Sequence, residues 1–217
     1  MDFAAARRNM VESQIRTNRV TDERIVAALG EIPRELFVGE DRAAIAYVDE
    51  ALTLGGGRYL MDPMAFAMLL QAAEIGGDDV VLDIGCATGY SSAVLARFAG
   101  TVVALEEDTG FAARATELLA ELKIDNVAVM EGALTAGHAG QAPYNAIVIS
   151  GAVAEVPEVI IGQLADGGRL VFIEASEDGL GRGFLIGKYG ESISRRHIFD
   201  AGSPILPGFE RRPAFSF

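Results

Sequence analysis

The sequence has few cysteines and histidines and no long apolar run. Its one cysteine, Cys86, cannot form an internal disulfide, and no charged-then-apolar leader is seen at the N-terminus. No apolar stretch approaches the roughly 20 residues that a membrane-spanning helix needs. His138 and His197 have no metal-ligand spacing with each other or with Cys86. We therefore expect a protein of the reducing cytoplasm, with no bound metal and no membrane partner.

Basic residues are also scarce. Eighteen Lys and Arg stand against 31 Asp and Glu, which gives a net charge of −13. Such a surface repels nucleic-acid phosphates and anionic lipids at long range. The dense basic groups are short: Arg7-Arg8, Arg195-Arg196-His197 and Arg211-Arg212. None is long enough for a groove that follows a phosphate backbone, so we expect no nucleic-acid partner.

The composition is that of a folded globule, with 50% hydrophobic residues and a mean hydropathy of +0.27. A length of 217 residues suits one domain. We predict a single domain over residues 1–217, with an N-terminal helical appendage at 1–50 and an α/β core at 51–217. In the appendage, Ile25, Leu29 and Ile32 fall near helical spacing, with Thr21 as the expected N-cap and Pro33 as an interruption.

Beyond the appendage, apolar strands alternate with helices. The predicted strands are 80–84, 101–105, 127–130, 144–150 and 169–173, and the predicted helices are 90–98, 111–122 and 156–164. Nearly continuous apolar strands in β-α units indicate a parallel sheet covered on both faces. Segments 184–189 and 193–199 flank a glycine turn and predict a hairpin. The prediction is therefore a doubly wound, mostly parallel, seven-stranded sheet with an antiparallel C-terminal hairpin.

The first β-α turn carries the pattern that indicates chemistry. Gly85 and Gly89 let backbone amides approach a ligand, and the helix that follows offers unpaired N–H groups. Twenty-one residues beyond Gly85, Glu106 ends the second strand, where a carboxylate can accept both hydroxyls of a ribose. An adenosine-containing cofactor is therefore expected. The spacing fits a dinucleotide fingerprint poorly, whereas Asp83 suits the amino group of S-adenosylmethionine.

At this point the sequence resembles a known family. Residues 83–90 are similar to motif I of class I S-adenosylmethionine-dependent methyltransferases, and the surroundings resemble the protein-L-isoaspartate O-methyltransferases. The matching segments, in the family's order and spacing between about Met10 and Ile173, are "MVESQIRTNRVTDERIVAAL", "IPRELFV", "AYVDEALTLG", "VLDIGCATGYSSAVLA" and "VPEVIIGQLADGGRLV". The resemblance implies a Rossmann-like methyltransferase fold and S-adenosylmethionine as cofactor, with S-adenosylhomocysteine as product. It also implies repair of ageing proteins by methylation of their isoaspartyl carboxylates.

The resemblance also implies roles for single residues. Those expected to bind the cofactor are Leu60, Asp83, Gly85, Cys86, Ala87, Thr88, Gly89, Glu106, Gly132 and Ala133. Within this group Asp83 and the loop would hold the methionine part, Glu106 the ribose, and Gly132-Ala133 the adenine. The expected catalytic residues are Tyr59, Met61 and Ser150, and the expected substrate-binding residues are Arg58, Gly151 and Ala152.

Three departures from the family pattern stand out. Ala87 replaces a second glycine, and Ala133 replaces an Asp that would add an adenine contact. The third departure is the stretch 57–63, which reads Gly-Arg-Tyr-Leu-Met-Asp-Pro where the family typically has Gly-Gln-Thr-x-Ser-x-Pro. We interpret the three glycines at 55–57 as a bend that brings this loop over the methyl donor, with Pro63 opening the next helix.

The expected chemistry needs few groups. A carboxylate acceptor is already ionised at pH 7, since its pKa is about 4, and so needs no general base. Cys86 is interpreted as a small buried residue rather than a nucleophile. The stretch 57–63, here called the altered loop, leaves two alternatives open. One is a methyltransferase with another protein or small-molecule acceptor, and the other is a non-catalytic cofactor-binding module. The expected state is a monomer or a weak dimer.

Overall fold

The N-terminal part of the chain is helical, as predicted. The computed structural model describes residues 1–176 and 181–211, so Arg212 of the last basic group lies outside the described residues. Helix α1, Phe3–Met10, continues through a π-helical turn at Val11–Ile15 and a 3₁₀ turn at Arg16–Asn18, and α2 spans Glu23–Glu31. Further 3₁₀ turns follow at Arg34–Phe37 and Ala43–Ile45.

Helix α2 begins one residue later than the sequence suggested. Asp22 is the N-cap, because its carboxylate accepts the N–H of Arg24 at 2.9 Å. The prediction of Thr21 as N-cap is therefore wrong. The backbone N–H of Thr21 donates instead to the side-chain oxygen of Gln71, at 2.6 Å. The helix ends before Pro33, as predicted, with Ile32 already extended.

The three glycines form the turn of a small β-hairpin. Strand β1, Leu52–Gly55, pairs antiparallel with β2, Arg58–Leu60. Residues 55–57 have φ of +94°, +57° and +76°, a conformation that side chains rarely tolerate. Helix α3, Pro63–Ala73, then starts at Pro63 as predicted, with the Asp62 carboxylate accepting the N–H of Ala65.

The main sheet has seven strands, which confirms the predicted fold class. They are β3 Val80–Ile84, β4 Thr101–Glu106, β5 Val127–Glu131, β6 Tyr144–Val153, β7 Leu164–Ala175, β8 Gly181–Tyr189 and β9 Ser192–Asp200. Their order is β5-β4-β3-β6-β7-β8-β9, parallel from β5 to β7 and antiparallel from β7 to β9. The predicted C-terminal hairpin is therefore present.

Within the described residues, three helices connect these strands. They are α4 Tyr90–Leu95, α5 Thr109–Glu121 and α6 Glu158–Gly162. Helix α6 is shorter than the predicted 156–164 because β7 already begins at Leu164, which pairs with Tyr144. No helix within the described residues is long and apolar enough to cross a membrane.

Two apolar clusters cover the faces of the sheet. One joins the N-terminal helices and α3 to the sheet, and includes Leu29, Phe66 and Val81. The other includes Leu82 and, from the C-terminal segment, Leu206. Consecutive strand residues such as Val81 and Leu82 serve opposite faces, because side chains alternate along a strand. Strand order reverses between β3 and β6, so the carboxyl ends of these strands flank the crevice where such folds bind ligands.

Candidate functional site

The loop between β3 and α4 is held tightly at both ends. Gly85 and Gly89 have φ of +81° and +94°. A Cβ added at Gly89 would lie 3.0 Å from the Cβ of Ala115, so only glycine lets the loop approach α5 this closely. The hydroxyl of Thr88 donates to the carbonyl of Phe37 at 2.7 Å. The N–H of Gly85 donates to the carbonyl of Leu105 in β4 at 2.9 Å, so the loop is fixed at one end to the sheet and at the other to the N-terminal segment and α5.

Ala87 occupies the position of the family's second glycine in a left-handed conformation, with φ of +47°. This conformation costs a non-glycine residue about 1–2 kcal/mol. Its N–H donates to Glu106 Oε2 at 2.7 Å, and this bond helps to hold the conformation. The structure thus accommodates the β-carbon, with a hydrogen bond from the Ala87 N–H to Glu106 at the end of β4.

Asp83 is fully buried at the carboxyl end of β3. Its Oδ2 accepts the hydroxyls of Ser91 and Ser92, each at 2.6 Å. Its Oδ1 accepts the hydroxyl of Ser150 at 2.7 Å. Burial raises the pKa of the Asp83 carboxyl, and the three hydroxyls oppose that shift by stabilising the charged form. The group is therefore completely engaged by neutral donors.

Glu106 is equally buried at the end of the neighbouring strand, but one of its partners is charged. Oε2 accepts Nη2 of Arg58 at 2.7 Å as well as the N–H of Ala87. Oε1 accepts the N–H groups of Glu107 and Asp108 at 3.0 and 3.1 Å. The residue expected to bind a ribose therefore forms a buried ion pair with the residue expected to bind substrate.

Arg58 lies across the glycine loop. A Cβ added at Gly85 would be 3.1 Å from Arg58 Nη2, so the guanidinium fills the space above the first glycine. The Nε and Nη1 atoms of Arg58 are buried and have no hydrogen-bond partner among the residues that the structure describes. Because each such group loses its hydration without compensation, the arginine has unused capacity to bind an anion.

The rest of the altered loop divides between surface and interior. Tyr59 is 37% exposed, whereas Leu60 and Met61 are buried. The carbonyl of Met61 accepts Nη2 of the buried Arg34 at 2.6 Å. The Arg34 guanidinium also lies over the Tyr90 ring, 4.9 Å from its centroid. The loop is therefore anchored to the core through its backbone.

A small cavity separates this loop from the glycine loop. Its volume is about 20 Å³, and the predicted site residues that line it are Tyr59, Leu60, Met61, Gly85, Cys86, Ala87 and Ser150. This is room for about one water molecule. The structure thus brings together predicted catalytic and cofactor-binding residues, with little free space between them.

The end of β6 is covered by the chain that follows β9. The N–H of Ala152 donates to the carbonyl of Pro204 at 3.0 Å, and the N–H of Leu206 donates to the carbonyl of Ala152 at 2.8 Å. A Cβ added at Gly151 would lie only 2.6 Å from Leu206 Cγ. Gly151 and Ala152, expected to bind substrate, are therefore in contact with a segment of their own chain.

The remaining predicted residues lie around this centre. The N–H of Gly132 donates to the backbone carbonyl of Glu106 at 3.0 Å, and Ala133 is exposed beside it. Cys86 is buried, and burial raises the pKa of its thiol, which suits a packing role. Within residues 1–176 and 181–211, no group of three or more His, Cys, Asp or Glu side chains is arranged to hold a metal.

Sequence reasoning missed several residues of this site. Ser91 and Ser92 hold Asp83, Arg34 holds the loop, and Leu206 fills the crevice. The serines follow the glycine loop directly, so their position in the first turn of α4 was a usable signal. Leu206 lies far along the chain, and its only sequence signal is an apolar pair between Pro204 and Pro207.

Comparisons with known proteins show which family the chain is similar to. The family model for protein-L-isoaspartate(D-aspartate) O-methyltransferase matches residues 5–179. Protein-L-isoaspartate O-methyltransferase 2 of Anaeromyxobacter sp. is 40% identical over 171 residues, 79% of this chain and 70% of its own. The Methanoculleus marisnigri protein-L-isoaspartate O-methyltransferase is 42% identical over 165 residues, 76% of this chain and 75% of its own. A solved structure of a protein-L-isoaspartate O-methyltransferase aligns with a TM-score of 0.82 at 26% identity, over 93% of this chain and 66% of that one.

Proposed function

The chain belongs to the protein-L-isoaspartate(D-aspartate) O-methyltransferase family, and we propose that it transfers a methyl group from S-adenosylmethionine to isoaspartyl carboxylates in proteins. The observation that carries the proposal is the extent of the family match, residues 5–179. This range contains the glycine loop, both buried carboxylates and the altered loop. The products would be a methyl ester and S-adenosylhomocysteine.

The polar groups at the candidate site fit this cofactor. Asp83 offers a carboxylate to an amino group, Glu106 offers one to ribose hydroxyls, and the 85–89 loop offers a compact glycine-rich backbone. We assign Leu60, Gly132 and Ala133 to the rim of the same site. The cavity volume fits the cofactor less well, because about 20 Å³ is far smaller than the roughly 300 Å³ of the smallest usual ligand pockets. Binding therefore requires neighbouring side chains to move.

Methyl transfer to a carboxylate depends more on positioning the two reactants than on proton transfer. S-adenosylmethionine, when bound, supplies an electrophilic methyl group on a sulfonium sulfur. One C–O bond forms as one C–S bond breaks, and the ionised acceptor carboxylate needs no base. The chain's part is to hold the acceptor in line and to keep water away. Met61 and Ser150 lie at the buried cavity that would serve this purpose, and Tyr59 lies partly exposed at its edge.

Arg58 is the residue we assign to the substrate carboxylate. Among the residues that the structure describes, its Nε and Nη1 groups are buried without acceptors, and each can donate a charge-assisted hydrogen bond to a carboxylate oxygen. Gly151 and Ala152 at the end of β6 would line the same side of the site. In this proposal the arginine replaces the hydroxyl groups that the family's usual loop sequence provides.

We also propose a substrate class, a location and an assembly state. We assign proteins or peptides with isoaspartyl residues as substrates, a cytoplasmic location, and a monomer or weak dimer as the working state. The sequence has one cysteine, Cys86, which is free and buried, and this supports a reducing compartment.

A labelled-methyl assay tests the proposed reaction. The protein is incubated with methyl-labelled S-adenosylmethionine and an isoaspartyl peptide, beside the same peptide with a normal aspartyl residue. We expect base-labile label on the isoaspartyl peptide alone, because a carboxyl methyl ester hydrolyses readily in base. Equal label on both peptides, or none above background on either, would contradict the proposal.

A second candidate is a methyltransferase for another acceptor, and the altered loop favours it. Tyr59 and Met61 replace the small hydroxyl residues of the usual pattern, so the shape offered to the acceptor differs. This candidate predicts that the protein binds S-adenosylhomocysteine while isoaspartyl peptides stay unlabelled and a cell extract becomes labelled. Binding without label on any extract component would identify a non-catalytic module.

A further inference from the structure

The chain after β9 turns back to the crevice between β3 and β6. Residues 202–210, here called the C-terminal segment, are bonded to β6 as an irregular extra strand. Ile205 forms a parallel bridge with Ala152, and the N–H of Ala154 donates to the carbonyl of Phe209 at 3.0 Å. The family model ends at residue 179, so the whole segment lies beyond the part of the chain that the family pattern describes.

Leu206 is the part of this segment that enters the crevice. Its Cδ1 lies 3.1 Å from the position of a Cβ at Gly85, and its Cγ lies 2.6 Å from that at Gly151. These glycines belong to the two edges of the crevice, at the ends of β3 and β6. Leu206 is only 4% exposed and belongs to the apolar cluster on that face. The side chain therefore occupies the volume that a ligand at this crevice would need.

Arg58 closes the crevice from the other side. Its Nη2 is 3.1 Å from the same Gly85 Cβ position and bonds Glu106 at 2.7 Å. Leu206 and Arg58 thus meet above one glycine. Glu106, the acid expected to bind a ribose, already accepts two hydrogen bonds at each carboxylate oxygen. The small cavity beside them is what is left of the site.

The contacts that hold the closed arrangement are limited. The C-terminal segment is joined to β6 by three backbone hydrogen bonds, at Ala152 twice and at Ala154 once. Within the part of the chain that the structure describes, the buried Nε and Nη1 atoms of Arg58 have no acceptor, which makes this state less stable than a fully paired one. Pro204 and Pro207 restrict the free segment and so lower the entropy lost when it docks again.

We infer that the C-terminal segment is an internal plug that competes with S-adenosylmethionine, with Leu206 in the crevice and the Arg58–Glu106 ion pair closing its other side. The inference rests on the proposed function, since the competitor is the proposed cofactor. Only the fraction of molecules with the segment displaced binds the cofactor, so the apparent affinity is reduced by that fraction. A partner or condition that holds the segment away would activate the enzyme.

Calorimetric titration with S-adenosylhomocysteine tests the plug without relying on turnover. Leu206→Ala in the full chain shortens the plugging side chain, and Ile205→Ala is the matched control because Ile205 is 37% exposed. We expect Leu206→Ala to lower the dissociation constant about tenfold or more, because the open fraction rises. Ile205→Ala should stay within about twofold of wild type on the same argument. Thermal unfolding checks that each variant is folded, and Phe209→Ala, which loosens the other end of the segment, is a second variant expected to tighten binding.

Hydrogen exchange distinguishes a plug from a lid. Saturating S-adenosylhomocysteine should accelerate exchange of the Leu206 and Ala152 amides, which bond across the segment and β6. The β8–β9 hairpin serves as the internal reference and should not change. Slower exchange at Leu206 in the presence of ligand would overturn the inference, since it would mean that the segment closes over the ligand.

The outcomes separate this inference from the proposed function. Wild type and Leu206→Ala binding with equal affinity would overturn the plug and leave the cofactor assignment intact. No binding by wild type, Leu206→Ala or Phe209→Ala would overturn the cofactor assignment and, with it, the plug. Tighter binding by both variants, with faster exchange at Leu206, supports the plug whatever the methylation assay shows about the acceptor.

Discussion

The ends of β3 and β4 each carry a fully buried carboxylate, and the two are held in different ways. Asp83 accepts three serine hydroxyls, which are neutral and can rotate. Glu106 accepts three backbone N–H groups and the charged Arg58 guanidinium. Hydroxyls can turn towards a new acceptor at little cost, whereas opening a buried ion pair leaves two buried charges without a counter-charge. The partners of the carboxylate at the end of β4 are therefore the more costly of the two sets to disrupt.

The largest effect is expected from disrupting the Arg58–Glu106 ion pair at the end of β4. Glu106→Gln leaves the buried Arg58 guanidinium without a carboxylate, and losing one partner of a buried ion pair costs about 3–5 kcal/mol. We expect the free energy of unfolding, measured in urea, to fall by that amount. Glu107→Gln at the exposed neighbouring position is the control, with an expected change within about 0.5 kcal/mol.

A double variant shows whether the charge is the cause. Arg58→Met with Glu106→Gln removes both members of the pair, so no charge is left buried. If the ion pair is responsible, the double variant is more stable than the sum of the single effects predicts. Strict additivity of the two changes would contradict this account of the β4 end.

A smaller effect is expected at the neutral end. Asp83→Asn keeps the shape of the side chain and one acceptor oxygen, but its NH₂ group faces hydroxyls that must rotate. We expect a loss of about 1–3 kcal/mol in the free energy of unfolding, less than for Glu106→Gln. The exposed Asp78→Asn is the control. A loss equal to or larger than that of Glu106→Gln would show that the two ends are not held as we describe.

The smallest effect is a pH dependence at Asp83. Burial raises its pKa in the folded state, with the charge of Glu106 adding to the shift, above the unfolded value of about 3.9. The folded state therefore takes up a proton first as pH falls. The stability of wild type relative to Asp83→Asn should increase as pH falls through the raised pKa and level off below about 3.9. Urea unfolding of both proteins across this range measures the difference, and a falling difference would contradict the assignment.

Much of the fold could be predicted because it depends on local pattern. The apolar runs at Val80–Ile84 and Thr101–Glu106, and the glycine turn before Ser192–Asp200, have the periods and breaks that the structure uses. The start of α3 at Pro63 was readable for the same reason. The errors fall at the ends of helices, where contacts with residues distant in sequence determine which residue forms the cap. Thr21 is drawn to Gln71, which is 50 residues away along the chain, and this leaves the cap to Asp22.

The candidate site was predictable as a set of positions and not as a set of contacts. The glycine loop, Asp83 and Glu106 were identified from spacing, and their placement at neighbouring strand ends follows from a parallel sheet. That Arg58 bonds Glu106 across 48 residues had no signal in the sequence. For Leu206, the apolar pair between Pro204 and Pro207 was the only signal, and it did not indicate docking between Gly85 and Gly151.

The sequence by itself determined the sheet, the glycine loop and the chemical type of each carboxylate, because strand periodicity, glycine conformation and ionisable side chains are properties of short stretches. Only the tertiary structure decided which groups donate hydrogen bonds to those carboxylates and which side chain fills the crevice between β3 and β6. The three glycines at 55–57 illustrate both sides: their turn is local, whereas the reach of Arg58 beyond it depends on packing against distant strands. Buried polar groups take the nearest partner that the fold supplies, and that partner is set by the whole chain.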